Sequence, residues 1–215
     1  MITRAINTTK KILLEEITYS VRHFIGTLKS YRYLGKDNLK LNLGSGFQKR
    51  IGWINIDINP EIADLSLDLR KALPFKDNSV EEIYSEHLLE HLEYPYDVTH
   101  FLSECKRILK KGHKITIAVP DSEWPIKSYT QGYKSKYFST AKKKGWHPLS
   151  YSTRIEHINF HFRQGSEHKY AYDYDLIYKI LRDHKFSEIK KRNYIKGVDY
   201  EFHNPGTLYV EAFKK

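Results

Sequence analysis

Apolar residues recur at three- and four-residue steps from Leu14 through Ile17, Val21, Phe24, Ile25 and Leu28 to Tyr31, with Lys10, Lys11, Arg22, Lys29 and Arg32 off that stripe. This spacing predicts one amphipathic helix over residues 1–34. Such a helix packs on its own domain, caps a binding site, or docks on a membrane surface or a protein partner. The turn chemistry of Gly35-Lys36-Asp37-Asn38 ends it. Residues 1–37 therefore read as an appended helix and residues 38–215 as the main domain.

Beyond the turn, short apolar runs alternate with turns and helical stretches. Strands are expected at Leu39–Leu43, Trp53–Asp57, Ala63–Leu69, Val80–Tyr84 and Lys114–Val119. A helix is expected over 96–109, ended by Lys110-Lys111-Gly112, and another over 173–184 with Leu176, Ile177, Ile180 and Leu181 on one side. Two last strands fall near 188–195 and 207–213. The alternation argues for an α/β fold with a parallel sheet. Residues 121–170 break the rhythm. They are aromatic and basic, without clear periodicity, and read as an irregular functional insertion.

Composition narrows the picture. The 215 residues suit one domain, and the single cysteine, Cys105, rules out an internal disulfide and reads as a buried small hydrophobe. One cysteine and no visible signal-peptide pattern fit a cytoplasmic setting. No stretch approaches the ~20 apolar residues of a membrane span. The net charge of +10 points toward an anionic partner: nucleic acid, a membrane surface, or an acceptor such as a sugar nucleotide or lipid-linked glycan.

The chemistry begins where the first strand ends in Leu43-Gly44-Ser45-Gly46. Glycines there let backbone approach a ligand closely, but Lys49 stands where a dinucleotide fingerprint needs its third glycine. Asp57 closes the second strand, where a carboxylate can accept both hydroxyls of a ribose. Asp68 closes the third, where one can accept from an adenine amine. With these stand the runs Gly52-Trp53-Ile54-Asn55-Ile56-Asp57, Asp68-Leu69-Arg70-Lys71-Ala72-Leu73-Pro74-Phe75, Tyr84-Ser85-Glu86-His87-Leu88-Leu89-Glu90-His91-Leu92 and Ile115-Thr116-Ile117-Ala118-Val119-Pro120-Asp121.

Through these runs residues 39–121 resemble the class I S-adenosylmethionine (SAM)-dependent methyltransferases. More narrowly, they resemble small predicted methyltransferases associated with polysaccharide assembly. The resemblance implies a Rossmann-like, three-layer α/β/α fold: a seven-stranded, mostly parallel sheet with an antiparallel last strand. It implies SAM against Gly44, Ser45 and Gly46, ribose on Asp57 beside Ile58, and adenine near Asp68 and Leu69. Ser85 and Glu86 would line the methionine end. Asn42 stands where many members carry an acidic residue and can still hydrogen-bond the cofactor. Glu90 and His91 read as structural, satisfying backbone groups at a helix end.

The acceptor is less defined. A hydroxyl is a poor nucleophile and gains from a general base. Candidates are His87 and Asp121 near the strand ends, and His157, His161 and His168 in the insertion. The block Arg154–Arg163 is expected to be extended, presenting His157, Asn159, His161 and Arg163 on one face as the acceptor site. His157, His161 and Asp121 have the donor types for a divalent ion, but their spacing does not show one, and no metal is assigned. Trp124, Tyr129, Tyr133, Tyr137, Phe138 and Trp146 either stack on sugar rings or form a second small core. The reading is O-methylation of a sugar or glycan hydroxyl. The alternatives are a nucleic-acid or other small-molecule methyltransferase, or a SAM-binding protein without turnover. Against nucleic acid, Ser85-Glu86-His87-Leu88 is not the Pro-Pro-aromatic run that clamps a flipped base. The N-terminal helix would carry any membrane or glycosyltransferase association.

Overall fold

The computed structural model describes residues 2–215, with side chains described from Thr9 onward. Among them, seven strands form one sheet: β1 (Leu39–Leu43), β2 (Ile54–Asp57), β3 (Leu65–Ser66), β4 (Val80–Glu86), β5 (Leu109–Pro120), β6 (Phe186–Arg192) and β7 (Thr207–Lys214). Their order is β3-β2-β1-β4-β5-β7-β6. β7 runs antiparallel to both its neighbours, and the other pairings are parallel. Strand order reverses between β1 and β4, and ligands bind outside the carboxyl ends of strands at such a point.

Six helices accompany the sheet among the described residues: α1 (Ile2–Ser30), α2 (Tyr96–Ile108), α3 (Glu123–Gln131), α4 (Lys136–Lys144), α5 (Arg154–Arg163) and α6 (Tyr174–Asp183). On α2, Val98, Phe101, Leu102, Cys105 and Ile108 are buried, and on α6 Ile177, Ile180 and Leu181. Both rows join Leu41, Leu43, Ile83, Ile115, Ile117 and Val210 of the strands in one core. Short apolar strands suffice here because neighbouring helices cover their core-facing residues. The links from β1 to β2, β2 to β3 and β3 to β4 contain no α-helix.

Alternate strand residues point the other way and are polar. Lys40 of β1 pairs with Glu82 of β4 at 3.2 Å, Glu82 with Lys114 of β5 at 3.4 Å, and Lys114 with Glu211 of β7 at 3.1 Å. Glu211 meets Arg192 of β6 at 3.3 Å, and Arg192 meets Asp199 at 2.5 Å. Opposite charges thus stand side by side across five adjacent strands, the arrangement that stabilises cross-strand neighbours.

Three expectations are corrected. Residues 121–170 are not irregular, since α3, α4 and α5 lie within them. The block 154–163 is helix, not an extended face. Thr153 and Glu156 form a capping box at its start, each side chain satisfying the other's backbone N–H. That Thr-x-x-Glu signal stood in the sequence and outweighs the alternation of polar residues behind it. Lys110 to Gly112 end no helix by themselves, because β5 begins at Leu109.

The N-terminal helix is present, but its apolar stripe is not what packs on the domain. Leu14, Ile17, Val21, Phe24 and Leu28 are all more than half exposed. A different face, carrying His23, Gly26 and Ser30, lies against the β3 edge. The Asp68 N–H donates to His23 Nδ1 at 3.2 Å. At Gly26 an added Cβ would sit 2.0 Å from the Ser66 carbonyl oxygen. Gly26→Ala is therefore expected to push α1 off the sheet edge at about 1–3 kcal/mol, lowering the melting temperature by about 2–4 °C per kcal/mol. Limited proteolysis should then cut within α1 sooner, and an unaltered cleavage rate would show that the contact does not hold the helix.

Candidate active site

The loop after β1 is shaped by glycine. Gly44 and Gly46 have φ of 72° and 49°. The N–H groups of Gly44 and Ser45 both donate to the Ile56 carbonyl, at 2.9 and 3.0 Å. The Gly46 N–H donates to Asp57 Oδ2 at 2.9 Å, and the Asn59 N–H to Oδ1 at 3.0 Å. The end of β2 therefore braces the loop. Each Asp57 oxygen accepts one backbone N–H and keeps a further lone pair for a ligand. Nothing lies within 4 Å of the position a Gly46 Cβ would take.

The other proposed cofactor contacts have varied surroundings. The Asn42 side chain is buried and donates to the Gln48 carbonyl at 2.9 Å and to Asn55 Oδ1 at 3.0 Å, so it staples the loop. The Ile58 carbonyl accepts from Ser66 Oγ at 2.8 Å and from Arg22 of α1 at 3.4 Å. Asp68 is buried, and its carboxylate is committed to Arg70: Oδ1 accepts from Arg70 N and Nε, and Oδ2 from Nη2, at 2.9–3.0 Å. Burial acts to raise its pKa, but the Arg70 bonds and charge prevail and hold it low. Arg70 also grips Glu16 of α1 at 2.9 Å. The Leu69 side chain is buried in the core. Ser85 Oγ, at the end of β4, is buried without a hydrogen-bond partner. Glu86 accepts from Tyr84 Oη at 2.6 Å and lies 3.1 Å from His203 Nδ1.

Beyond β4 the chain turns through His87, whose φ is 53°. A cavity of about 440 Å³ opens there. Its walls include His87, Glu90 and His91 after β4, Tyr137 of α4, Trp146 and His147 after it, His161 of α5, and His168, Phe202 and His203. His87 stacks on His203 with centroids 3.8 Å apart and planes 1° apart, and its Nε2 lies 2.9 Å from Thr207 Oγ1. Burial and neighbouring histidines drive the His87 pKa well below its ordinary value. Burial likewise lowers His91 and His168 and pushes His161 down to about 3. Glu90, in a 3-10 turn over Leu89–His91, is 2% exposed. Neither of its carboxylate oxygens has a hydrogen-bond partner, and burial pushes its pKa up to about 8.

Of the proposed catalytic residues, His87, His161 and His168 meet at this cavity. Asp121 and His157 are not among its lining residues. Asp121 accepts from the Glu123 N–H at 3.0 Å, closing the turn into α3. His157 is buried beside His147, their Nδ1 atoms 2.7 Å apart. The predicted face also comes apart: His157 and His161 share one side of α5 while Asn159 and Arg163 are exposed. The set Asp121, His157 and His161 is not among the groups whose donor atoms converge. Tyr137 and Phe138 are buried against each other, Trp124 packs edge-on to Tyr137 and Trp146 to Trp124, so these aromatics form a second small core, of which Tyr137 and Trp146 border the cavity. Glu90 is expected to be structural, but neither of its carboxylate oxygens meets a hydrogen-bond partner at normal geometry. Its signal was the run His87-Leu-Leu-Glu90-His91, polar groups one turn apart between leucines.

The His147–His157 pair has a consequence for pH. Burial, then the neighbouring His157, pushes the His147 pKa down to about 4. A depressed folded-state pKa means that neutral imidazole is the form the fold prefers. The stabilisation is whole above the ordinary value of about 6.5 and is lost as pH falls toward 4. The melting temperature should fall between pH 7 and pH 5, and less steeply in His147→Gln. Equal slopes in the two proteins would remove the pair as the cause.

Residues 53–117 match the methyltransferase domain family. That match spans the strands and turns from β2 to β5. Over 135 residues the chain is 29% identical to an uncharacterised protein of Methanocaldococcus jannaschii, covering 56% of this chain and 54% of that one, about half its length. A SAM-dependent methyltransferase from Archaeoglobus fulgidus superposes with a TM-score of 0.52 at 17% identity, covering 95% of this chain and 99% of that one. Phosphoethanolamine N-methyltransferase 2 of Haemonchus contortus, solved with SAM, superposes with a TM-score of 0.50 at 11% identity, over 87% of this chain and 52% of that one. The fold is that of the class I methyltransferases. No helix among the described residues is long and apolar enough to cross a membrane.

Proposed function

We propose that this domain transfers the methyl group of SAM to a hydroxyl of a sugar or glycan. The observation that carries the reading is the adjacency of two features. The braced Gly44–Gly46 loop and Asp57 end β1 and β2, and the cavity lined by histidines and aromatic rings opens where neighbouring β4 ends. Tyr137, Trp146, Phe160 and Phe202 supply apolar ring surface to that cavity, and the histidines supply hydrogen-bonding groups. This combination suits the apolar faces and hydroxyl rim of a sugar ring.

The residues present fit SAM at its loop and ribose ends. Gly44, Ser45 and Gly46 would lie under it, Asp57 would take the ribose hydroxyls beside Ile58, and the unpartnered Ser85 Oγ would meet its methionine end. Asp68 and Leu69 would border the adenine through their backbone, since the Asp68 carboxylate is occupied by Arg70. When bound, SAM supplies an electrophilic methyl group on a positively charged sulfur. What the chain must then do is hold the acceptor oxygen in line with that carbon and remove the hydroxyl proton. His87 and His161, kept neutral by burial, can accept hydrogen bonds from the hydroxyl.

Labelled-methyl transfer from SAM into sugar nucleotides, lipid-linked glycans and RNA tests the proposal. Label on glycans or sugar nucleotides is the expected outcome, and label on RNA alone would overturn it. The exposed apolar stripe of α1 remains the surface through which we would place a membrane or glycosyltransferase association of a cytoplasmic enzyme. His161→Ala is expected to reduce transfer at least tenfold with little change in SAM affinity, read by calorimetry beside the transfer assay. An equal loss of both would assign His161 to the fold instead.

A further inference from the structure

The groups around Glu90 are arranged as acceptors facing acceptors. His91 Nδ1 lies 3.2 Å from the Glu167 carbonyl oxygen, and His168 Nδ1 lies 2.9 Å from the His161 carbonyl oxygen. A carbonyl cannot donate, so each Nδ1 carries the proton and each Nε2 is left with a bare lone pair. His91 Nε2 stands 4.0 Å from Glu90 Oε1. One donor atom each of Glu90, His91 and His168 lies within 4.8 Å of the others. His87 adds to this. Thr207 Oγ1 donates to the His203 carbonyl, so it accepts from His87 Nε2, and His87 Nδ1, 3.7 Å from Glu90 Oε1, is also a lone pair.

A buried carboxyl group with neither oxygen hydrogen-bonded, among imidazole lone pairs, is a costly arrangement unless a proton or a metal cation sits between them. We infer that Glu90, His91 and His168 bind a divalent transition-metal ion on the wall of the acceptor cavity. Two imidazoles and one carboxylate suit zinc, cobalt, manganese or iron rather than magnesium, which prefers oxygen ligands. Ligand distances of about 2.0–2.2 Å around an ion require the three donor atoms to close by roughly half an ångström. The carbonyl anchors on both Nδ1 atoms are the outer contacts that metal-binding histidines use to fix tautomer and ring orientation.

A second convergent group, Glu86, His87 and His203, does not compete. There the carboxylate is satisfied by Tyr84 Oη and His203, and the two rings are stacked face to face. Three protein ligands leave open positions on the ion at Glu90, directed to the cavity. Resting on the O-methylation reading, the ion takes the acceptor hydroxyl. It makes the hydroxyl more acidic, so that the proton leaves to water and the oxygen bonds the methyl carbon. The carbon–sulfur bond breaks with its electron pair kept by sulfur.

The test is titration of metal-stripped protein with cobalt(II), followed by visible absorption and calorimetry, with zinc(II) as the displacing ion. One cobalt per chain is expected, with a micromolar or tighter Kd and d–d bands that zinc abolishes. Glu90→Gln and His168→Ala are each expected to weaken binding at least tenfold, whereas His100→Ala, on the exposed side of α2, leaves it unchanged. Glu90→Gln without metal should melt no lower than the parent, because an amide replaces an unpaired carboxylate. If it does not fold, His168→Ala at a half-buried position carries the test. Binding only at millimolar cobalt, or equal binding in parent and both site variants, overturns the inference. Neither SAM nor acceptor is present in the titration, so failure of the sugar reading in the transfer assay leaves this result standing, and the converse also holds.

Discussion

Asp57→Ala is expected to lower SAM affinity about 100-fold or more. The carboxylate faces two losses in that variant. On the proposed binding mode it would give up charge-assisted bonds to the ribose hydroxyls, each contributing about 1.5–3 kcal/mol. It would also release the Gly46 N–H, now held at 2.9 Å. A total of about 3 kcal/mol corresponds to roughly two decades in Kd. Asp57→Asn keeps one acceptor oxygen and is expected to retain part of the affinity, so the two variants should rank parent, Asn, Ala. Calorimetry with SAM and with its demethylated product measures both. Unchanged affinity in Asp57→Ala would remove the ribose assignment while leaving the fold untouched.

The largest effect on stability is expected from Asp199→Ala. The Asp199 side chain is fully buried and Arg192 is 11% exposed. Two guanidinium nitrogens meet the two carboxylate oxygens at 2.5 and 2.6 Å. The Ile195 N–H donates to the same group at 2.7 Å, and Tyr84 Oη lies 3.0 Å from it. Removing one member of a buried pair costs about 3–5 kcal/mol, because the remaining charge stays desolvated. Glu211, 3.3 Å from Arg192, offsets part of this, so about 3 kcal/mol is expected. That corresponds to a melting temperature lower by roughly 6–12 °C. Replacing both partners, as Arg192→Met with Asp199→Leu, should recover most of the loss, since no charge is then left unpaired. A melt of Asp199→Ala matching the parent would show that the pair does not hold this end of the sheet. The variant should weaken the cavity too, because the segment tied down by Asp199 carries Phe202 and His203 into its wall.

Much of the scaffold was legible in the chain. Leu39–Leu43 and the Val80 run became β1 and β4, and Asp57 does close a strand beside the glycine loop. These elements are local: their apolar runs and turn residues reflect backbone preferences within a few positions. The insertion was misread because two local signals conflicted. In 154–163 polar groups alternate as on a strand, but the Thr153–Glu156 capping box starts a helix, and a satisfied helix end outweighs a loose alternation. Asp68 lies two residues past β3 instead of closing it, and its charge is met by Arg70, which also pairs with Glu16 of α1.

By itself, then, the sequence determined the α/β sheet, the glycine loop after β1 and the acid at the end of β2, because each rests on residues adjacent in the chain. Only the tertiary structure decided the site around Glu90. It brings His168 from far along the chain against the turn after β4, by seating the Lys169 and Tyr170 N–H groups on the Glu90 carbonyl at 2.6 and 3.3 Å. The tautomers that aim lone pairs at Glu90 depend on carbonyls of Glu167 and His161, one remote from each ring's neighbours in the fold, the other across a helix end. Which polar groups are left without partners is a property of packing, and no local pattern encodes it.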